Sequence, residues 1–558
     1  MRIPGMPRYT GLVSPAIVSA AILLVLSLFL APERVAGGEP PVYAVINAKI
    51  VTVAGQTIES GSVVVRNGII ESVGTGVPVP ADARIIDAKG MTVYPGLIDA
   101  LSDAGLEEPA AGPAQSTATP PSLSADEKQG LTPYLQAADI LNPASRRIEA
   151  ARAAGITTAL VIPRRGFFQG QSSLINLGGN RVGEMVVKTP VFMHIGFGDR
   201  RGMGAGYPGS LMGVLAFVKQ TLLDAQNYEA AWNTYSTNPG MPRPEYSRAL
   251  QSLVPAVKQQ IAVVLPGDTP AQIRRALDLA AGYKLRMILA GGAESGKIAP
   301  VLRELNVPVL LSVRFPERDR DVDPSSEEEL SVLRRRVEAP SHAVALANAG
   351  VRFAFQSDAM SNPGDLIRNV AKTVEAGLDR TAALRSLTLT PAEIFGVADK
   401  LGSIEKGKCA NLVLATGDIF DVRTRIRVVF VDGRMFEIQE SQPAKQGPAE
   451  PAGASNAAGT WVLRVNSPQG PLEVTLKLQQ FGTDITGTLT SPFGTVDISE
   501  GTISGTELRF KANINPSGTG NFIVSFTAIL EGAALKGSAD AGIMGRMEFT
   551  GSKSPNDR

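Results

Sequence analysis

Two residue types that commonly build metal and redox sites are scarce in this chain. It contains two histidines, His194 and His342, and one cysteine, Cys409, among 558 residues. A single cysteine excludes a disulfide within the chain and any Cys-x-x-Cys metal or redox motif. Two histidines exclude a metal site built from three or more imidazoles of one subunit.

Neither sign of charge dominates. The chain has 54 Lys and Arg residues against 53 Asp and Glu residues, a formal net charge of +1. This balance argues against nucleic acid as the main partner. The sequence also lacks a Gly-x-Ser-x-Gly motif and a Walker-type glycine loop. Acyl-enzyme hydrolysis and phosphate-loop chemistry therefore have no support.

Residues 1–38 have the order of a secretory signal peptide. Arg2 and Arg8 precede an apolar run over residues 16–31, and small residues follow at 35–38. This order predicts cleavage after Gly37 or Gly38 and export to the periplasm or the extracellular space. No membrane span is expected in the remaining chain. The alternative is an uncleaved N-terminal membrane anchor, because the run approaches the ~20 residues that a spanning helix needs.

The rest of the chain divides by its hydrophobic pattern. Alternation with period two predicts strands over 39–96 and again over 401–438, and each segment alone is too small to bury a sheet face. We therefore expect one composite β-sandwich made from both segments. Between them, repeated helix–strand units predict an α/β fold, a (β/α)8 TIM-like barrel over 97–400.

A separate module is expected at the C-terminal end. Residues 439–458 are rich in Pro, Ala and Gln and predict a linker. Eight short alternating segments over 459–555 then predict an antiparallel β barrel or sandwich. This module is a candidate surface for binding a partner.

Three motifs resemble the amidohydrolase superfamily, in particular its imidazolonepropionase-like branch. They are TVYPGLIDA, LTPAEIFGV and KLGSIEKGKCANLVL. The resemblance extends from about Tyr43 to Glu437. It implies a barrel flanked by a β-sandwich from both chain ends, and a metal-dependent hydrolase acting on C–N bonds other than peptide bonds.

The chain departs from this family at the metal ligands. The resemblance places a His-x-His pair after PGLIDA, where this chain has Leu101 and Asp103. It places further histidines near 265–266 and 290–291, where the chain has Leu-Pro and Ala-Gly. Asp358 matches the last ligand, which in the family also serves as the general base. We therefore expect an exported, catalytically degenerate protein that binds a small-molecule ligand or a partner.

A reduced metal site is the alternative. Asp103, His194 and Asp358 together could hold one divalent ion weakly, either Zn, Mn or Fe, with Asp358 as the catalytic residue. The protein would then be an active hydrolase of cyclic amides or related C–N bonds. Otherwise no cofactor is expected, and His194 is a strand histidine bonded to the backbone. His342 is predicted to lie near a helix start capped by Ser341, in a cap or surface role.

Five further residues are pocket candidates. Gln169, Gln171 and Asn176 lie in a glycine-rich segment that predicts either a polar cavity wall or a tight surface turn. Arg200 and Arg201 could bind an anionic group, because arginine pairs with carboxylates in a bidentate manner. The other interpretation of this pair is a solvated loop face.

Overall fold

The computed structural model describes residues 42–106, 130–164, 166–197, 208, 210–238, 240–318, 327–357, 360, 362–438, 457–467, 470–481, 484–491, 494–514, 522–532, 534–540 and 546–554. These residues fall into two compact units, 42–438 and 457–554. The predicted signal peptide lies outside the described residues.

The strands of the first unit are divided between a sheet made from both ends of the unit and a barrel. In chain order they are β1 (Val42–Ile50), β2 (Ile58–Arg66), β3 (Ile69–Gly74), β4 (Arg84–Asp87), β5 (Thr92–Pro95), β6 (Leu97–Ser102), β7 (Ile156–Val161), β8 (Phe168–Gln171), β9 (Ser173–Asn176), β10 (Val186–Lys188), β11 (Phe192–Ile195), β12 (Ala262–Gly267), β13 (Met287–Gly291), β14 (Val309–Ser312), β15 (Phe353–Gln356), β16 (Leu412–Ala415), β17 (Ile426–Val431) and β18 (Arg434–Glu437).

Helices lie between these strands. In chain order they are α1 (Arg146–Ala153), α2 (Val182–Met185), α3 (Leu211–Thr237), α4 (Arg248–Val257), α5 (Pro270–Gly282), α6 (Ala299–Glu304), α7 (Leu330–Glu338), α8 (Ser341–Asn348), α9 (Asp365–Glu375), α10 (Arg380–Leu387) and α11 (Leu389–Phe395). Among the described residues, no helix combines the length and apolarity needed to cross a bilayer.

One sheet draws its strands from both ends of the first unit. Its order is β18-β17-β16-β5-β1-β2-β3, and β4 pairs with β1 outside this path. The contact between the two ends is antiparallel, with Val413 of β16 opposite Tyr94 of β5. Asn67 and Gly68 make the turn between β2 and β3 with φ of 51° and 82°. Asn-Gly suits this turn because both positions need positive φ.

The strands from β6 to β15 form the barrel. It has eight strand positions: β6, β7, the segment of β8 and β9, and β11 to β15, while β10 pairs with β9. Strands β11 to β15 run parallel in sequence order, and β6 runs parallel to β7. The segment of β8 and β9 links the two groups, since β8 pairs with β11 and β9 with β7. On the other side, the Ser357 amide after β15 donates to Asp99 Oδ1 of β6 at 2.9 Å. An apolar cluster with members from β6, β7, β9 and β11–β15 fills the interior.

The expectation of an all-parallel barrel is wrong at the third position. Both β8 and β9 run antiparallel to their neighbours, so the sheets are mixed. The physical reason is the connection, because β7 ends at Val161 and β8 begins at Phe168. Parallel neighbours need a crossover of about a dozen residues or more, whereas antiparallel neighbours accept a short loop.

The second unit is a closed antiparallel barrel. Its strands are β19 (Gly459–Ser467), β20 (Gly470–Phe481), β21 (Asp484–Ser491), β22 (Gly494–Ser504), β23 (Glu507–Ile514), β24 (Phe522–Glu531), β25 (Ala534–Asp540) and β26 (Arg546–Lys553). Strand β26 returns to pair with β19, which removes free sheet edges. Alternate side chains, among them Trp461, Phe510 and Phe526, fill its interior.

Candidate functional site

A small cleft lies beside the C-terminal end of the first barrel strand, β6. Its volume is about 190 Å³. Helix α1 forms one wall, and residues after β15 form another. The lining residues are Asp99, Ser102, Asp103, Ala104, Arg146, Arg147, Ala150, Ala151, Ile156, Ser357, Met360 and Pro363. In barrel proteins the C-terminal ends of the strands are the usual place for binding and catalysis.

Asp99 is the buried acid of this cleft. Its side chain is 1% exposed, and its Oδ1 accepts hydrogen bonds from the amides of Ser357, at 2.9 Å, and Leu101, at 3.3 Å. Burial raises the pKa of Asp99, although the hydrogen bonds from Ser357, Ser102 and Leu101 oppose the rise. The physical cause is the loss of water around the charged form.

Replacing Asp99 with asparagine is expected to change how stability depends on pH. Because the folded state raises the pKa of Asp99, it holds the proton more tightly than the unfolded chain does. The free energy of unfolding of the wild type therefore falls as pH rises from the unfolded pKa through the folded pKa. Asparagine cannot ionise, yet its Oδ1 can still accept the Ser357 amide. Asp99→Asn should therefore gain stability relative to wild type as the pH rises above the unfolded pKa of Asp99.

Thermal unfolding of both proteins from pH 4 to pH 7.5 measures the effect. A difference between wild type and Asp99→Asn that stays constant with pH would mean that Asp99 ionises as in the unfolded chain.

Asp103 and two arginines form the charged rim of the cleft. Asp103 makes an ion pair with Arg147 of α1, and 18% of the Asp103 side chain is exposed. Arg146 precedes Arg147 on the same helix and lines the same cleft. The carboxylate of Asp103, predicted as a metal ligand, is therefore engaged by a cation.

His194 lies on β11, on the face of this strand that points to the barrel interior. Its side chain is 2% exposed, and its Nε2 has no hydrogen-bond partner among the described residues. Phe192, two residues earlier, belongs to the interior apolar cluster, and alternate strand residues share a face. Burial, with a smaller contribution from the charge of Arg164, lowers the pKa of His194 to about 3. The imidazole is therefore neutral at pH 7.

The predicted three-residue metal site is only partly described. Asp358, Arg200 and Arg201 lie outside the described residues, so the convergence of Asp103, His194 and Asp358 stays a prediction. In the part of the chain that the structure describes, no group of three or more His, Cys, Asp or Glu side chains is placed to hold a metal ion.

The described residues do not fit the divalent ion that the family implies. Leu101 packs in the interior apolar cluster, as does Ala290 near the end of β13. Leu265 is fully buried in the surrounding core. These side chains carry no donor atom, and Asp103 is paired with Arg147.

The glycine-rich segment around β8 and β9 packs against residues 133–135. Gln169 is half-buried, while Gln171 is 8% exposed and donates from Nε2 to the Pro133 carbonyl at 3.2 Å. Gly170 has a φ of 111°, and a Cβ there would meet the Leu135 carbonyl at 2.4 Å. This segment is thus strand rather than a surface turn. None of its residues lines the cleft beside β6, and their role in a ligand pocket stays a prediction.

Asn176 joins the barrel to the composite sheet. Its Oδ1 accepts from Thr158 Oγ1 at 2.7 Å and from Asn411 Nδ2 at 3.1 Å, and its Nδ2 donates to Asp432 Oδ1 at 2.6 Å. The Asp432 amide in turn donates to Asn411 Oδ1 at 2.7 Å. Sequence reasoning missed this network, because its members are up to 256 residues apart.

His342 lies near a helix start as predicted, but Ser341 is not the N-cap of that helix. His342 is 6% exposed, so a surface role is wrong. Its helix has Pro340 at the N-cap, while Ser341 Oγ donates to the Glu338 carbonyl at 2.7 Å. Cys409 is half-buried and unpaired by any disulfide, and burial raises the pKa of its thiol.

Comparisons with known proteins show similarity to one family. Residues 303–436 match the amidohydrolase family model. A crystal structure of an amidohydrolase from Thermotoga maritima MSB8 is similar over 71% of this chain and 100% of that chain, with a TM-score of 0.60 and 25% identity. This likeness indicates a TIM-barrel-type domain and confirms the resemblance to the amidohydrolase superfamily. The branch within it stays a prediction.

Two curated relatives agree with this assignment. Amidohydrolase tasK of Hapsidospora irregularis is 24% identical over 412 residues, which are 67% of this chain and 39% of that protein. An adenine deaminase of Moorella thermoacetica is 28% identical over 130 residues, 22% of this chain and 21% of that protein. The matched region therefore spans well under half the length of either relative.

Proposed function

We propose that this protein, whose residues 303–436 match the amidohydrolase family model, is a non-catalytic amidohydrolase relative that binds a small molecule. The ligand occupies the cleft at the C-terminal end of β6. The protein keeps the barrel of a C–N hydrolase but not the means to activate water.

One observation carries this proposal: the side chains at the C-terminal end of β6 are not available as metal ligands. Hydrolysis by this family requires a divalent ion, which lowers the pKa of its bound water toward ~7. Two ligands of that ion are expected where this chain has Leu101 and Asp103. Leu101 packs in the apolar interior, and Asp103 pairs with Arg147. A guanidinium on that carboxylate competes with a cation for the same oxygens.

A second function has a specific observation in its favour. The Nε2 atom of His194 is buried without a partner among the described residues, and a metal ion would satisfy a nitrogen lone pair there. In that case the protein is an active hydrolase of cyclic amides or related C–N bonds, with Asp103, His194 and Asp358 as ligands. Asp358 would be the catalytic base.

Metal analysis of the purified full chain separates the two functions. After exposure to Zn, Mn and Fe followed by dialysis, we expect well below one equivalent of bound metal, because donors are absent at three strand ends. About one equivalent would overturn the non-catalytic assignment, provided that Asp358→Ala and His194→Ala lose it. His342→Ala is the matched control, since it removes the other histidine and should not alter metal content.

Export is part of the proposal. The signal-like order of residues 1–38 supports a mature chain that begins near residue 38, outside the cytoplasm. The C-terminal barrel then offers a surface for a partner. N-terminal sequencing of the mature protein tests export, and a chain that still begins at Met1 in membrane extracts would favour the anchor.

A further inference from the structure

The charged side chains of the β6 cleft are unevenly paired. Among the described residues, four charged or titratable side chains line it, namely Asp99, Asp103, Arg146 and Arg147. Asp103 and Arg147 neutralise each other as an ion pair. Arg146 is exposed and makes no ion pair with the described residues. Among the described lining residues, the Arg146 guanidinium is therefore the cation that no carboxylate neutralises.

The start of helix α1 adds to this positive potential. Arg146 is its first residue, and the side chain of the N-cap residue Ser145 makes no capping hydrogen bond. The unpaired amides of a helix N-terminus favour an anion, and their effect is confined to the first turn. The cleft runs along this turn, because Arg146, Arg147 and Ala150 all line it.

Asp99 places a buried carboxyl group in the same cleft. It is buried, and Ser102 and Ser357, each 5% exposed, line the same cleft. Burial raises the pKa of Asp99, which favours the protonated acid. A protonated carboxyl group is a hydrogen-bond donor, so it can face an anion that an ionised carboxylate would repel.

The size of the cleft limits what it can hold. Its volume of about 190 Å³ is below the roughly 300–1,000 Å³ typical of pockets for larger ligands. Part of the lining is apolar, namely Ala104, Ala150, Ala151, Ile156 and Met360. A ligand of a few carbon atoms with one charged end fits this combination.

We propose that the β6 cleft binds a small monocarboxylate. Its carboxylate pairs with the Arg146 guanidinium, and its short hydrocarbon part lies against the apolar wall. Arginine suits this role because its two parallel N–H groups match both oxygens of a carboxylate. The proposal rests on the non-catalytic function above and names the ligand class of the same cleft.

Calorimetric titration of the full-length protein tests the proposal with three probes. They are propionate, propionamide of the same shape without charge, and ethylammonium of opposite charge. Propionate should bind, and the other two should bind at least tenfold more weakly. Arg146→Ala should weaken propionate binding at least tenfold, and Arg146→Lys should restore part of it. Arg274→Ala removes an exposed arginine of α5 and should change nothing.

Failure of the monocarboxylate site can be told apart from failure of the proposed non-catalytic function. Equal binding of propionate and propionamide, or unchanged propionate binding by Arg146→Ala, would overturn the monocarboxylate site. Asp99→Asn keeps a donor and should leave propionate binding within about threefold, whereas Asp99→Leu should weaken it. Metal content is measured on the same protein, so a bound metal would refute the non-catalytic function whatever propionate does.

Discussion

Replacing Trp461 with alanine is expected to unfold the C-terminal barrel while the first unit stays folded. Trp461 is fully buried and is among the largest buried side chains of the chain's described part. Its Nε1 donates to the Ala457 carbonyl at 2.9 Å. Truncating a buried aromatic side chain costs about 3–5 kcal/mol, a large share of the roughly 5–15 kcal/mol that stabilises a typical domain.

Scanning calorimetry of the full chain measures this effect, since each unit should give its own transition. Trp461→Ala should lower or abolish one transition and leave the other within about 1–2 °C, because each compact unit has its own hydrophobic core. Lys553→Ala is the control, as Lys553 Nζ lies 5.6 Å from the centre of the Trp461 ring and should contribute little. If both transitions moved together, the two units would not be energetically independent.

Replacing His194 with methionine is expected to protect the first unit from acid. Burial lowers the pKa of His194 to about 3, below its ordinary value of 6.5. At a pH between these values the unfolded chain binds a proton that the folded chain does not. The stabilisation is therefore complete above pH 6.5 and is lost toward pH 3, by about 1.4 kcal/mol per pH unit.

The measurement is thermal unfolding of wild type and His194→Met from pH 7.5 to pH 4. Methionine fills an apolar interior without ionising and removes the unpartnered Nε2, so the variant should lose markedly less stability on acidification. His342→Met is the control, because the pKa of His342 is also lowered by burial. Since His342 is less deeply buried than His194, His342→Met should change the pH dependence of stability less than His194→Met does. Identical pH profiles for wild type and His194→Met would refute the neutral, buried imidazole.

Much of the fold follows from local patterns. The alternation over 39–96 predicted short strands, and an Asn-Gly pair such as Asn67-Gly68 is a strong local hairpin signal that the structure follows. The apolar strand segments between helices predicted parallel pairing, which holds from β11 to β15. The antiparallel segment of β8 and β9 was not predicted, because its glycines indicated either a cavity wall or a surface turn and its residues lack clear alternation.

The site was harder to predict than the fold. The position of Asp103 after PGLIDA indicated a metal donor, but its partner Arg147 lies 44 residues later and is brought to it only by the packing of α1. Asp99 belongs to the TVYPGLIDA motif, but a function was expected only at the positions that follow this motif, and Arg146 belongs to none of the three motifs. Their importance comes from burial and from a cleft between elements, neither of which spacing along the chain reveals.

The pairing of β5 with β16 has a consequence for synthesis of the chain. Val93 on β5 lies opposite Leu414 on β16, so β5 gains this neighbour only after more than 300 further residues have been made. Until then the edge of β5 that β16 will occupy exposes unpaired backbone groups, the usual template for aggregation. Because domains fold as they emerge at about 5–20 residues per second, a newly made chain carries this open edge for tens of seconds. Chaperone protection in that interval matters more for this protein than for one whose sheets close locally.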